Sequence, residues 1–129
     1  MKEAKTVIVT GGSDGLGKAL VDSLIASGFR VVNVSRRENN KATINIPSDL
    51  STTDGIKHAT ESILKMNTSF KAIIYSAGVL SFNDAGSVNV GDYERLFSIN
   101  VKAPMLMTSD LLETCLRRVN WQEIAENNR

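Results

Sequence analysis

The stretch most able to do chemistry is Thr10 to Leu20, TGGSDGLGKAL, and its glycines can be counted in two ways. From Gly12 the spacing is that of a phosphate loop, G-x-x-x-x-G-K. In such a loop a Ser or Thr after the lysine binds Mg²⁺, and an acid at the end of another strand holds the metal. Here Ala19 follows Lys18 and has no oxygen to offer, and the apolar strands end in Thr10, Ser35 and Ser76. From Gly11 the spacing is T-G-x-x-x-G-x-G, with Gly11, Gly15 and Gly17 lying between a β-branched run and a helical one. Glycines without Cβ let the backbone approach a pyrophosphate, and the free N–H groups and dipole of a helix N-terminus attract it. The second count meets its own requirements, so a dinucleotide is the expected ligand. Three spaced glycines also occur in ordinary strand-to-helix turns, so the surrounding elements must add to the signal.

Those elements alternate. Thr6 to Thr10 (TVIVT) reads as a buried parallel strand. From Gly15, Leu16, Ala19, Leu20 and Leu24 recur at helical spacing, and Ser27-Gly28 supplies a left-handed cap. Arg30 to Ser35 is a second strand, and Thr43 to Ile46, stopped by Pro47, a short third one. Ser51-Thr-Thr-Asp54 is a capping box opening a helix with Ile56, Ala59, Ile63 and Met66 on one face. Lys71 to Ser76 is a fourth strand. From about residue 89 to about residue 119 the pattern is helical, with Tyr93, Leu96, Phe97 and Val101 on one stripe and Met105, Thr108, Leu112, Cys115 and Val119 on the next. Pro104 marks a kink or a new first turn, and Tyr93 is expected in the core. Trp121 is expected to pack on the last helix. Strands alternating with helices imply right-handed β-α-β crossovers, hence an α/β, doubly wound parallel sheet.

Bulk properties narrow the function classes. With 129 residues the chain is expected to form one domain, 1–129, with a modest core. Its 15 basic and 14 acidic residues are scattered, which argues against nucleic acid as a partner. The start, MKEAKTVIVT, has no apolar stretch long enough for a signal peptide or membrane span, so no membrane partner and a cytoplasmic location are expected. The single cysteine, Cys115, lies on an apolar helical stretch and reads as a buried, inert thiol. His58 has no Ser or Cys at motif spacing and reads as a surface histidine, and nothing suggests a metal site.

Several ordered matches make the chain resemble the short-chain dehydrogenase/reductase family over nearly all its length. They are Thr10-Gly-x-x-x-Gly15-x-Gly17, Ser35-Arg36-Arg37, Asp49-Leu50, Ser76-Ala77-Gly78 and Asn100-x-x-x-Pro104. The resemblance implies a Rossmann-like sheet in the order 3-2-1-4, stopping after about four strands. It also implies that Gly11, Ser13, Asp14, Gly15, Leu16 and Gly17 hold a pyrophosphate, that Asp49 and Leu50 border the adenine, and that Ser76, Ala77 and Gly78 support the nicotinamide ribose region. Ser76 stands where the family usually has Asn. Asn100 matches the family's proton-relay Asn and is the one catalytic candidate.

A carboxylate at the end of the second strand would accept hydrogen bonds from an NAD ribose and repel the 2′-phosphate of NADP. Ser35 stands there, followed by Arg36 and Arg37, whose planar forks suit phosphate, so NADP(H) is expected in preference to NAD(H). The plainer alternative for the two arginines is solvated loop charge. Asp14 pulls the other way by its charge, although an acid there also caps a helix. The family's catalytic Tyr-x-x-x-Lys is absent: Tyr75 is followed at the fourth position by Val79, and Tyr93 by Phe97. The full-length form is expected to act on a small-molecule carbonyl or alcohol, whereas these residues alone are expected not to turn over. A non-catalytic NADP(H)-sensing or scaffold module is the alternative, and a phosphate-loop hydrolase the third reading. If the fourth strand ends the sheet, its apolar edge, Ala72 to Ser76, or the last helix should drive self-association.

Overall fold

The computed structural model describes residues 4–116, in the order β1 (Thr6–Thr10), α1 (Gly15–Ala26), β2 (Arg30–Ser35), β3 (Ile44–Pro47), α2 (Thr53–Lys65), β4 (Ala72–Tyr75), α3 (Val90–Phe97), a π-helical turn (Ser98–Lys102) and α4 (Ala103–Leu116). Val119, Trp121 and the side chain of Cys115 fall outside the described parts of the chain. The four strands form one parallel sheet in the order β3-β2-β1-β4. This is a doubly wound α/β sheet with the strand order expected.

The period-two alternation of β-structure divides the core between the two faces of the sheet. Val7 and Val9 of β1 and Val31 of β2 meet Val21 of α1, with Leu24, Ile25 and Ile74 packed around them. Ile8, Val32, Val34 and Ile46 point the opposite way, against Ile56, Ala59 and Ile63 of α2 and Ala103, Met107 and Leu111 of α4. Layers of helix on both faces thus bury β1 and all of β2 after Arg30, which is why their sequences read as near-continuous apolar runs. Among the described residues no helix is long and apolar enough to cross a membrane.

Local signals set most of the boundaries. Asp14 caps α1 by accepting from the Gly15 N–H at 2.8 Å. Gly28, at φ 90°, ends α1: its N–H bonds the Ile25 carbonyl and the Phe29 N–H bonds the Leu24 carbonyl, the pattern of a Schellman motif. Asn89 caps α3 by accepting from the Asp92 N–H, and its own amide donates to the Asp92 carboxylate.

Elsewhere the structure corrects the sequence reading. The cap of α2 is Thr52, whose hydroxyl accepts from the Gly55 N–H at 3.0 Å, while Ser51 serves Asp49 instead. Pro47 closes β3 rather than stopping short of it, tolerated because β3 is an edge strand that needs no donor there. The sheet-facing side of α1 is Gly17, Val21, Leu24 and Ile25; Leu16 is 73% exposed and Ala19 lies on the outside. Residues 89–116 are two helices joined by a π turn, with Pro104 in the first turn of the second. α3 buries none of its residues, and Tyr93, expected in the core, is 51% exposed and stacked on Phe97 with ring centroids 4.6 Å apart. In α4 the buried face is Ala103, Met107 and Leu111, and Met105, Thr108 and Leu112 are exposed. His58 is exposed, as its sequence context suggested.

This division of faces predicts a contrast on α2. Ile63→Ala should lose about 2–5 kcal/mol of unfolding free energy, the usual cost of emptying a packed core position. Its neighbour Leu64, 42% exposed, should tolerate alanine within about 0.5 kcal/mol. Denaturant midpoints of the two variants check it; equal losses would refute the assignment of faces.

Candidate functional site

The carboxyl ends of all four strands open onto one cleft of about 380 Å³. In an open α/β sheet this is where ligands sit, outside the strand ends and beside the point at which strand order reverses. Here the reversal lies between β1 and β4. Gly11, Ser13, Asp14, Gly15, Leu16 and Gly17 form one wall. Ser35, Arg36 and Arg37 form the next, Asp49 and Leu50 the end, and Ser76, Ala77 and Gly78 the opposite side. The structure thus brings together every residue that the sequence reading placed at a cofactor. Val34, Ser48, Val79 and Ile99 also line the cleft and were not singled out, because nothing in their types or spacing marks them.

The glycine turn has a steric explanation at two positions. A Cβ on Gly17 would lie 1.9 Å from the Gly11 carbonyl oxygen, so the first turn of α1 rests directly on the end of β1. Gly15 has φ 53° and nothing within 4 Å of where a Cβ would be, so there the left-handed backbone, and not crowding, requires glycine. With Asp14 as cap, the N–H groups of Leu16 and Gly17 in the first turn have no intrahelical acceptor. They stand at the positive end of the helix dipole, on the cleft wall.

Charge is distributed along the cleft. Arg37 and Asp14 face each other at 3.9 Å with side chains 78% and 84% exposed, a contact worth little to stability. Arg36 is exposed and makes no ion pair among the described residues. Ser35 donates to the Arg37 carbonyl at 2.6 Å, so β2 ends in a neutral hydroxyl. At the far end the Asp49 Oδ1 accepts from the Ser51 hydroxyl at 2.6 Å and the Ser51 N–H at 3.0 Å. Those two donors hold the Asp49 carboxyl below its ordinary 3.8, helped by Arg36 and Arg95 and opposed by partial burial. Asp49 is therefore a carboxylate over the whole neutral range.

Asn100 lies in the π turn, beside the cleft rather than lining it. Its Oδ1 accepts from the Val79 N–H at 2.9 Å and its Nδ2 donates to the Val79 carbonyl at 2.8 Å, so one amide pairs with both backbone groups of the segment after β4. A π turn accommodates one extra residue per turn and is a frequent feature of functional sites. Ser76 Oγ stands 3.1 Å from the place a Gly17 Cβ would take. The segment is instead anchored by Thr10, whose hydroxyl accepts from the Ala77 N–H at 3.2 Å.

A family model described as short chain dehydrogenase matches residues 5–121, and the chain belongs to that family. A 3-oxoacyl-(acyl-carrier-protein) reductase of Buchnera aphidicola subsp. Schizaphis graminum is 26% identical over 125 residues, covering 90% of this chain and 51% of the relative. A benzil reductase of Bacillus cereus is 30% identical over 124 residues, covering 83% and 49%. Among solved structures, a blue fluorescent protein from a metagenomic library, in complex with NADPH, superposes with a TM-score of 0.73 at 27% identity, over 82% of this chain and 49% of its own. The chain spans about half the length of the curated relatives it matches.

The Asp49 contacts generate a pH prediction. A carboxyl whose folded pKa is depressed adds stability that is present above its unfolded pKa and lost as pH falls through the folded value. Ser51→Ala removes the larger of the two donors and should raise the Asp49 pKa back toward 3.8, narrowing that window. A carboxyl-carbon NMR titration reads it; an unmoved Asp49 would refute the cause given.

Proposed function

We propose that this chain supplies the NADP(H)-binding part of a short-chain dehydrogenase/reductase that interconverts a carbonyl and an alcohol. The observation that carries the reading is the convergence of the glycine turn and the Arg36–Arg37 segment on one cleft at the strand ends. The donor set fits a pyrophosphate and a 2′-phosphate. The Leu16 and Gly17 amides offer N–H groups to the former, and Gly15 leaves open space beside them. Arg36, exposed and without an ion pair among the described residues, offers its fork to the latter, and no carboxylate closes β2 to repel it. Asp49 and Leu50 would border the adenine, and Ser76, Ala77 and Gly78 the nicotinamide end. Asp14 must give way from Arg37 if both arginines are to serve one phosphate, which is feasible for so exposed a pair.

When bound, the nicotinamide would supply or take up the hydride. The chain's own residues do the positioning. Asn100 holds the Val79 backbone against the cleft, and Thr10 fixes Ala77 beside it. Carbonyl reduction also needs a proton donor of lowered pKa, and neither Tyr75 nor Tyr93 has a lysine four residues on. We therefore assign cofactor binding, and not turnover, to these 129 residues by themselves. The substrate class belongs to the whole protein.

The same reading extends to partners. The outer edge of β4 pairs with no strand among the described residues, and Met105 and Leu112 leave apolar surface on α4. We assign self-association to these two surfaces.

Two measurements test the reading. Fluorescence titration should give saturable binding of NADPH tighter than that of NADH, and Arg36→Ala should weaken NADPH about ten-fold, the worth of one charge-assisted bond, with NADH unchanged. Equal NADPH affinity in parent and variant would refute the assignment of Arg36. Gel filtration over rising concentration should show dimers or larger species, and a compact monomer at the highest concentration would remove self-association from the account.

A further inference from the structure

The polar interior where β2, β3 and the glycine turn meet has no part in the roles given so far. Asn33 and Asn39 are buried, 1% and 4% exposed, and Asn45 is half-buried. Their amides close a ring. The Gly12 N–H donates to Asn33 Oδ1 at 2.9 Å, and Asn33 Nδ2 donates to Asn45 Oδ1 at 2.9 Å. Asn45 Oδ1 also accepts from the Asn39 N–H at 2.9 Å, and Asn45 Nδ2 donates to the Asn39 carbonyl at 3.0 Å. Asn39 Nδ2 then returns to the Gly12 carbonyl at 2.8 Å.

Backbone groups settle every amide orientation in the ring. An N–H can only donate and a carbonyl can only accept, so Gly12 fixes which ends of Asn33 and Asn39 face it, and the Asn39 backbone fixes Asn45. Branches reach the arginine segment: Asn33 Nδ2 lies 3.4 Å and Ser35 Oγ 2.6 Å from the Arg37 carbonyl, and the Lys41 N–H donates to Asn39 Oδ1 at 2.9 Å.

The ring therefore ties two loops that share the cleft, the glycine turn through both backbone groups of Gly12 and the arginine segment through Arg37 and Asn39. Exposed arginines discriminate a phosphate from a hydroxyl well only when the backbone carrying them is already in place, since ordering it on binding costs affinity. A closed ring of amides around buried Asn33 and Asn39 resists deformation because opening it strands a buried polar group.

We propose that Asn33, Asn39 and Asn45 are positioning residues that hold the Arg36–Arg37 segment at a fixed distance from the glycine turn and thereby set the preference for a nucleotide bearing a 2′-phosphate. The inference rests on the cofactor reading above. Its test titrates the 129-residue chain calorimetrically with adenosine 2′,5′-bisphosphate and with 5′-AMP, in the parent, Asn39→Ala and Asn45→Ser, and follows Gly12 amide exchange in the same samples. The parent should prefer the bisphosphate. Each variant should lower that preference about five-fold or more, change 5′-AMP binding by less than about two-fold, and speed Gly12 exchange. A folded variant with faster Gly12 exchange and an unchanged preference overturns the proposal, leaving the ring a purely structural device. A parent with no preference defeats the cofactor reading itself, and the inference with it. If neither variant folds, the ring is a folding determinant and the positioning role is likewise overturned.

Discussion

Gly17 has no room for a side chain, because the Gly11 carbonyl oxygen would lie 1.9 Å from its Cβ. That contact sets α1 directly on the end of β1, and much of the molecule follows from it. The helix can pack so close only by presenting Gly17 and then Val21 to Val7, Val9 and Val31. Its N-terminus, where the Leu16 and Gly17 amides have no intrahelical acceptor, thereby lies at the strand ends on the cleft wall. Leu16 has to point outward, and it becomes part of the cleft wall instead of the core.

The two faces of the sheet are held by different physics. On the α2 and α4 side the contact is mostly apolar, with Ile8, Val32 and Val34 meeting Ile56, Ile63, Met107 and Leu111 and with Thr60 the buried polar residue of α2. On the α1 side the apolar patch gives way at Asn33 to buried amides. Burying amides costs free energy unless each finds a partner, and here the Asn33 oxygen accepts from the Gly12 N–H while its nitrogen donates to Asn45 Oδ1 and lies 3.4 Å from the Arg37 carbonyl. Apolar packing tolerates small slides, whereas a hydrogen-bonded ring has one geometry. The part of the sheet that borders the cleft is thus the part least free to shift.

The π turn joins the remaining walls. Ser98 donates to the Leu50 carbonyl at 3.0 Å, Lys102 Nζ reaches Thr53 Oγ1 at 2.5 Å, and Asn100 holds Val79 through both of its backbone groups. Three residues of this five-residue turn therefore fasten the segment after β3 to the segment after β4, across the face of the sheet. A regular α-helix would leave one residue fewer in the turn and so rotate everything after it relative to what precedes it. The buried face of α4, Ala103, Met107 and Leu111, follows from that rotation.

The strands were legible in the sequence, because a strand covered on both faces must be apolar throughout, and so was the glycine turn, because left-handed backbone and helix-on-strand contact both demand glycine. Most of the residues brought to the cleft were legible only through the family resemblance, and they meet there because in a parallel sheet the segments after each strand converge. Periodicity in α1 and in residues 89–116 reveals helix but not which side faces inward, so Tyr93, expected in the core, is exposed. Apolar side chains recur on several overlapping stripes, and only the partner surface selects one. The amide ring had no sequence signal at all. Asn33, Asn39 and Asn45 are ordinary polar residues along the chain, and only the register Asn33 to Asn45 between β2 and β3 and the fold of the Gly12 turn bring their amides within bonding distance. Local composition determined which backbone conformations were available; tertiary packing decided which polar groups met, since hydrogen bonds between distant residues exist only once the sheet has assembled.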